Sequence, residues 1–148
     1  MNPLSRNYLK TQVETASRPQ LLIMLFDGAI RFTDRARADI EARQFESSYN
    51  MLVRAQRIMI ELMSALDAKQ VPPDLHRNLT SLYAFVYRRL VAANIERNVG
   101  PADEALQILR HLRETWILAI EKMDPEVRKQ VAQTGAATGE PRSLSVRG

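Results

Sequence analysis

Cysteine is absent from this chain, which excludes disulfide bonds and thiolate metal sites. Five glycines and seven prolines are too few for a fibrous or disordered protein. No apolar run approaches the roughly 18 residues of a membrane-spanning helix, and residues 1–6 lack the basic and apolar regions of a secretory signal. A chain of 148 residues with an apolar fraction of 45% suits a single globular domain. The lack of cysteine and of a secretory signal leads us to expect that it lies in the cytoplasm.

Residues that would support catalysis or metal binding are also scarce. The two histidines, His76 and His111, belong to no Glu-x-x-His motif, which di-iron sites in helical bundles use in pairs. The sequence has neither a glycine-rich phosphate loop nor a nucleophile elbow. We expect no enzymatic activity, no metal site and no cofactor.

The net charge of +4 raises an alternative, a basic helical protein that binds nucleic acid or has a regulatory role. The tail from residue 125 onward carries half of this charge. In the rest of the chain arginines alternate with carboxylates, as Arg31, Asp34, Arg35 and Asp39 illustrate. Because a face of mixed charge is usually a solvated surface, we expect no nucleic-acid partner.

Apolar periodicity and helix-ending residues predict four helices with short connections. Ser17 and Gln20 have the spacing of a capping box at the start of the first helix. The second helix is expected to run from near Ser47 to Ala68, and a proline-containing break at 71–74 precedes the third. Short connections make neighbouring helices run antiparallel, so the sequence predicts an all-α, antiparallel up-down four-helix bundle.

The bundle is expected to cover residues 17–124. Its fourth helix should restart at Gly100–Pro101, with Asp103 and Glu104 in the first turn, where the helix dipole favours acidic groups. Residues 1–16 are expected to form a mobile, flexible N-terminal segment. Residues 125–148 are expected to form a basic, largely disordered tail, because the stretch from residue 134 has nothing to bury.

Each helix has an apolar stripe that is expected to form the core. On the first helix it contains Leu21, Leu25, Gly28, Ala29, Phe32, Ala36 and Ile40. On the third and fourth helices it contains Leu75, Leu79, Leu82, Val86, Leu90, Ala93, Leu106, Leu109, Leu112, Trp116, Ile120 and Met123. The small residue Gly28 would let a neighbouring helix or a partner backbone approach closely.

Further apolar residues form ridges outside these stripes. They are Ile23, Phe26 and Ile30 on the first helix and Tyr87, Val91 and Ile95 on the third, while Ile60 on the second helix and Leu118 on the fourth also point away from their stripes. Such ridges either pack inside the protein and against the N-terminal segment, or they receive amphipathic helices of a partner protein. We favour partner binding.

Several short segments of the sequence match, in order, the motifs of one known family. Thr15-Ala-Ser17, Pro19 and the run from Leu21 to Ala29 are similar to the N-terminal signature of that family, with Phe26 where the family usually has Tyr. Later segments follow in matching order, namely Ala55-Gln56, Ile58-Met59, Leu62, Leu66-Asp67, Asn78-Leu79, Leu82-Tyr83, Leu90, Asn94, Leu112-Arg113 and Trp116. Over roughly residues 5–123, the sequence thus resembles the flagellin export chaperone family, FliS.

The resemblance implies a cytoplasmic export chaperone. Such a protein binds the C-terminal region of flagellin, prevents its premature polymerisation and delivers it to the flagellar type III export apparatus. Tyr8 lies where the family has an N-terminal Tyr, and we expect it to cover a groove in the free protein. The expected partner-binding residues are Tyr8, Ile23, Phe26, Ile30, Ile60, Tyr87, Val91, Asn94 and Ile95. We expect a monomer or a weak homodimer.

Overall fold

The computed structural model describes Asn7 and residues 17–122. Four helices follow one another here, α1 (Arg18–Glu41), α2 (Phe45–Ala65), α3 (Pro73–Glu96) and α4 (Val99–Glu121), and these residues contain no strand. The predicted all-α four-helix fold is confirmed. None of the described helices has the length and apolar character of a membrane span. The predictions for Tyr8, for the rest of the N-terminal segment and for the tail lie outside the described residues.

The chain divides into two compact units, and each contains part of α1 and of α4. The first unit includes the described residues 17–24 and 114–122. Its buried cluster consists of Ile23, Ile117 and Ile120, with Trp116 packed against it. This cluster provides an apolar core to the described part of that unit.

The start of α1 confirms the predicted capping box. The Ser17 backbone N–H donates to Gln20 Oε1 at 2.8 Å, and the Gln20 N–H donates to Ser17 Oγ at 3.3 Å. The two side chains thereby satisfy two backbone donors that have no partner inside the helix.

The second unit covers residues 25–113 and shows how the helices are paired. Arg37 on α1 contacts Asp103 on α4 at 2.5 Å, and Arg110 contacts Asp34 at 2.8 Å. Residue numbers fall along α1 as they rise along α4, so the two helices run antiparallel. The hydrogen bond from Arg37 to Asp103 raises the pKa of the Arg37 guanidinium above its ordinary value.

The other neighbouring helices of this unit are paired in the same way. Arg54 on α2 lies 5.7 Å from the ring centre of Phe32 on α1. A Cβ atom added at Gly28 would lie 3.0 Å from Ile58 Cδ1, which supports the packing interpretation of Gly28. Helices α2 and α3 pack together, and the ion pair of Arg89 with Glu104 joins α3 to α4.

The core face of α1 differs from the prediction. Ile23 and Phe26 were placed on a ridge outside the core, yet both are completely buried, whereas Leu25 and Phe32 are only half-buried. The core positions of this helix in the second unit are Phe26, Ala29, Thr33, Ala36 and Ile40. Ala29, Ala36 and Ile40 were correctly assigned to the predicted stripe, but the large residues Leu25 and Phe32 placed its centre to one side of the buried row. Thr33 is accepted in the core because its hydroxyl donates to the Ala29 carbonyl at 2.7 Å.

The core face of α3 also needs one correction. Leu75 and Leu82 were predicted to be core residues, but they are 47% and 38% exposed. Tyr83 is buried instead, and its ring packs edge-on against that of Phe26, with 6.2 Å between ring centres. Leu82, next to Tyr83 in the sequence, was assigned to the stripe because its position also fits a helical period.

Two helix starts lie earlier than predicted. Helix α2 begins at Phe45 and α4 at Val99. Pro101 is tolerated near the start of α4 because the N–H that proline lacks has no helical partner in the first turn. As a consequence, Asp103 and Glu104 lie beyond the first turn, and their predicted placement in it is wrong.

Candidate protein-binding face between α2 and α3

Exposed apolar side chains collect along the pair formed by α2 and α3. Besides Leu75 and Leu82 near the start of α3, the large exposed ones are Tyr49 by 57%, Ile60 by 48% and Ile95 by 77%. Val53, Tyr87 and Val91 are half-buried beside them. We define the α2–α3 face as Tyr49, Val53, Ile60, Tyr87, Val91, Asn94 and Ile95.

The arrangement of this face follows from helical geometry. At roughly 100° per residue, Tyr49, Val53 and Ile60 lie within about 40° of one another on α2. The buried row of α2, which contains Leu52 and Met59, lies roughly 100° away from them. The α2 residues of the face therefore lie outside the buried row of that helix.

A hydrogen bond fixes the register of the two helices at one end of the face. The Asn94 side chain donates from Nδ2 to the Tyr49 carbonyl at 3.5 Å. From this level, α2 runs towards Ile60 while α3 runs back towards Tyr87. The α2 part of the face runs from Tyr49 to Ile60, eleven residue steps that correspond to about 16 Å, or three helical turns.

The structure brings together five of the nine predicted partner-binding residues. Ile60, Tyr87, Val91, Asn94 and Ile95 all belong to the α2–α3 face. Whether they bind a partner stays a prediction, but their placement on one surface agrees with it.

The other four residues do not join this face. Ile23 and Phe26 are buried, so the prediction that they form an exposed ridge is wrong. Ile30 is half-buried on the flank of α1 that also carries Asp34, the partner of Arg110 on α4. Tyr8 lies outside the described residues.

Sequence reasoning missed two members of the face. Tyr49 and Val53 precede Ile60 at spacings of eleven and seven residues, both of which repeat on one side of a helix. Ile60, which was predicted as a single off-stripe residue, therefore belongs to a row that extends towards the start of α2. A count of apolar residues at these spacings would have found it.

The face offers apolar contact area with few polar groups. Its polar atoms are two tyrosine hydroxyls and the Asn94 amide. Within residues 17–122, no group of three or more His, Cys, Asp or Glu side chains is arranged to hold a metal ion. What the face can do physically is bury the apolar side of a partner helix, as known helix-in-groove complexes do.

Comparison with known proteins identifies the family. The model of the family described as Flagellar protein FliS matches residues 1–123. The chain belongs to the FliS family. It is 32% identical over 114 residues to a flagellar secretion chaperone FliS of Bacillus subtilis, covering 77% of this chain and 84% of the relative.

Two further FliS relatives are similar over most of their length. The flagellar secretion chaperone of Campylobacter jejuni is 31% identical over 116 residues, which cover 78% of this chain and 90% of the relative. That of Escherichia coli is 27% identical over 108 residues, which cover 73% and 79% of the two chains. The relatives are named as chaperones, which points to a binding role for the family.

The structure also explains why two segments of the FliS resemblance belong together. Asp27 of the first signature and Arg113 of the later Leu112-Arg113 segment form a buried ion pair at 2.5 Å. Gly28, next to Asp27, packs against Ile58 of α2. The signature residues thus connect α1 with two other helices of the 25–113 unit.

Proposed function

We propose that this protein is a cytoplasmic export chaperone that binds the C-terminal region of flagellin. By covering that region it prevents premature polymerisation, and it delivers flagellin to the flagellar type III export apparatus. One observation carries the proposal: a member of a family of flagellar secretion chaperones has a continuous apolar face along α2 and α3 that its own core does not use.

The physical basis is the burial of apolar surface. Segments that assemble as amphipathic helices expose an apolar stripe until they meet their partners. The α2–α3 face could cover about three turns of such a helix. Each apolar side chain that leaves water contributes about 25 cal/mol per Å² of buried apolar area. A segment that folds on binding spends part of this free energy on becoming ordered, so a large contact surface is required.

The function proposed here is binding, and it requires no catalytic group. The alternative of a nucleic-acid-binding protein has no particular support in the charge arrangement. Several arginines are engaged by carboxylates in ion pairs, including Arg37 with Asp103, Arg110 with Asp34, and Arg89. Flagellin binding therefore remains the better proposal.

The test uses single aspartate substitutions on the face. Ile60→Asp and Ile95→Asp should each weaken binding of a recombinant C-terminal flagellin fragment at least tenfold in calorimetric titration, because each places a charge without a partner in the apolar contact. Thermal unfolding of both variants should change little, since the two side chains are largely exposed.

Leu118→Asp is the matched control, because Leu118 on α4 is 51% exposed, like Ile60. This control should bind the fragment like the unchanged protein. If Ile60→Asp and Ile95→Asp also bind normally, flagellin does not use the α2–α3 face. If the unchanged protein does not bind the fragment at all, the proposed function is wrong.

A further inference from the structure

Two arginines lie along the outer edges of the α2–α3 face. Arg57 on α2 and Arg88 on α3 are both exposed. At 100° per residue, Arg57 lies roughly 60–80° beyond the row of Tyr49 and Ile60, on the side away from the core. Arg88 lies roughly 60° beyond Val91 in the corresponding direction on α3. A helix that rests on the face would have one arginine on each side.

The two arginines are also at nearly the same level along the bundle. The hydrogen bond between Asn94 and Tyr49 sets the register. Arg57 follows Tyr49 by eight residues on α2, and Val86 precedes Asn94 by eight residues on α3. Since the two helices run antiparallel, Arg57 and Val86 lie at the same level. Arg88 is two residues from that position, which is about 3 Å along the helix axis.

Neither Arg57 nor Arg88 forms an ion pair with any residue that the structure describes. Glu61 follows Arg57 by one helical turn, but no ion pair joins them. On α3, no carboxylate lies three or four residues from Arg88 on either side. These two arginines therefore differ from Arg37, Arg89 and Arg110, which are all engaged by carboxylates.

We propose that Arg57 and Arg88 select a client helix that carries carboxylates on both flanks of its apolar stripe. The apolar stripe contacts the residues between the arginines, Tyr87 and Val91 above all. The carboxylates on the two flanks pair with one arginine each. This inference rests on the proposed function, since it specifies the chemistry of the segment that the α2–α3 face accepts.

The combination of charge and apolar area favours a protein helix as the occupant. The space between the arginines is occupied by apolar side chains, so the binding partner must present apolar surface in the middle and negative charge at its sides. The two edges are not uniformly basic, because Glu46 lies on α2 near the Tyr49 end. The positive charge is confined to the middle of the face, which gives the partner a preferred register.

The test compares two synthetic helical peptides of about 18 residues, or five turns. Both carry the same leucine stripe, and the residues flanking it are Glu in one peptide and Gln in the other. Binding to the full chain is measured by fluorescence anisotropy. The Glu peptide should bind about three- to tenfold more tightly, as expected for two exposed charge pairs. This preference should decrease as salt is added.

The variant Arg57→Gln/Arg88→Gln should bind both peptides equally. Arg31→Gln/Arg54→Gln is the matched control, because it removes the same charge where α1 and α2 meet, at the Phe32 ring that both arginines contact. That control should keep the preference for the Glu peptide. Binding of the C-terminal flagellin fragment is measured with the same proteins.

The outcomes separate this inference from the proposed function. Equal binding of both peptides by the unchanged protein, a loss of preference in the control, or no binding of either peptide would overturn the selection by Arg57 and Arg88. The proposed function would still stand if the flagellin fragment binds in those cases. If the peptides are distinguished as expected but the fragment does not bind, the inference stands and flagellin is not the client.

Discussion

Arg113 on α4 donates a hydrogen bond from Nε to Asp27 Oδ1 on α1 at 2.5 Å, and the two side chains are only 2% and 3% exposed. Among the described residues, Arg113 Nη1 has no hydrogen-bond partner. Burying both charges costs solvation free energy that the ion pair recovers only in part. The pair therefore serves to hold α1 and α4 in one register more than to add stability.

This relationship predicts strongly unequal effects of single and double substitutions. Arg113→Met should destabilise the protein by about 3–5 kcal/mol, because it leaves the Asp27 carboxylate buried without its cation. Arg113→Met/Asp27→Leu should be far less destabilising than the sum of the two single changes. Urea unfolding of the four proteins gives the coupling free energy. Additive effects would show that the pair is not coupled.

The close contact of Gly28 with Ile58 predicts that Gly28→Ala has a small effect on stability, and that this effect depends on the residue at position 58. A Cβ at residue 28 would lie 3.0 Å from Ile58 Cδ1, which is the end of a flexible side chain. Alanine gains up to about 1 kcal/mol of helix propensity over glycine, and the crowding offsets this gain. In the Ile58→Val background the crowding atom is gone, so Gly28→Ala should stabilise the protein there.

The measurement is urea unfolding of Gly28→Ala in both backgrounds. Ile58→Val alone should cost about 0.5–1.5 kcal/mol, which is the reference for the second comparison. If Gly28→Ala has the same effect with either residue at position 58, Ile58 is not what restricts position 28.

The loops that follow α1 and α3 both place an arginine over the ring of Phe45. This arrangement predicts which of two substitutions at Arg97 destabilises the protein more. Arg43 and Arg97 have φ angles of 58° and 51°, in the left-handed region that favours glycine. Their guanidinium carbons lie 5.4 Å and 4.7 Å from the ring centre of Phe45. Each interaction contributes about 0.5–1 kcal/mol, and each left-handed residue costs about 1–2 kcal/mol.

Arg97→Ala should therefore destabilise the protein more than Arg97→Gly, by about 1 kcal/mol. Alanine keeps the backbone strain and loses the contact with Phe45, whereas glycine loses the contact but removes the strain. Thermal unfolding of the two variants is the measurement. Equal midpoints for both would indicate that the backbone at residue 97 relaxes when the arginine is removed.

The sequence was sufficient for the fold class but not for the core face of α1. The capping box of Ser17 and Gln20 depends on neighbouring residues alone and was predicted correctly. The side of α1 that faces the core depends on contacts with distant residues. Ala29 and Ala36 were assigned to the core correctly, but Leu25 and Phe32 fit a helical apolar period as well as Ile23 and Phe26 do, and only the tertiary contacts bury the latter two.

The candidate face was predictable only in part, for the same reason. Tyr87, Val91 and Ile95 form a regular ridge on one helix, so periodicity alone identified them. That this ridge lies beside Ile60, and that Arg57 and Arg88 lie at one level, depends on the register of α2 against α3. The hydrogen bond between Asn94 and Tyr49 reveals this register, and no local pattern encodes it.

The last prediction distinguishes core isoleucines from face isoleucines by stability. Ile23 is completely buried and belongs to the cluster with Ile117 and Ile120, whereas Ile95 is 77% exposed. Ile23→Ala should cost about 2–5 kcal/mol, because it removes buried methyl groups and leaves a cavity. Ile95→Ala should change the free energy of unfolding by less than about 0.5 kcal/mol, as expected for an exposed position.

Both variants are to be compared by urea unfolding and by titration with the C-terminal flagellin fragment under conditions where both are folded. Ile95→Ala should weaken binding of the fragment while its stability is unchanged. Ile23→Ala should lower stability while the folded protein keeps most of its affinity, because its side chain does not reach the surface. If the two variants lose stability equally, Ile95 is covered in solution by a contact that also stabilises the protein. The α2–α3 face would then not be open to a client.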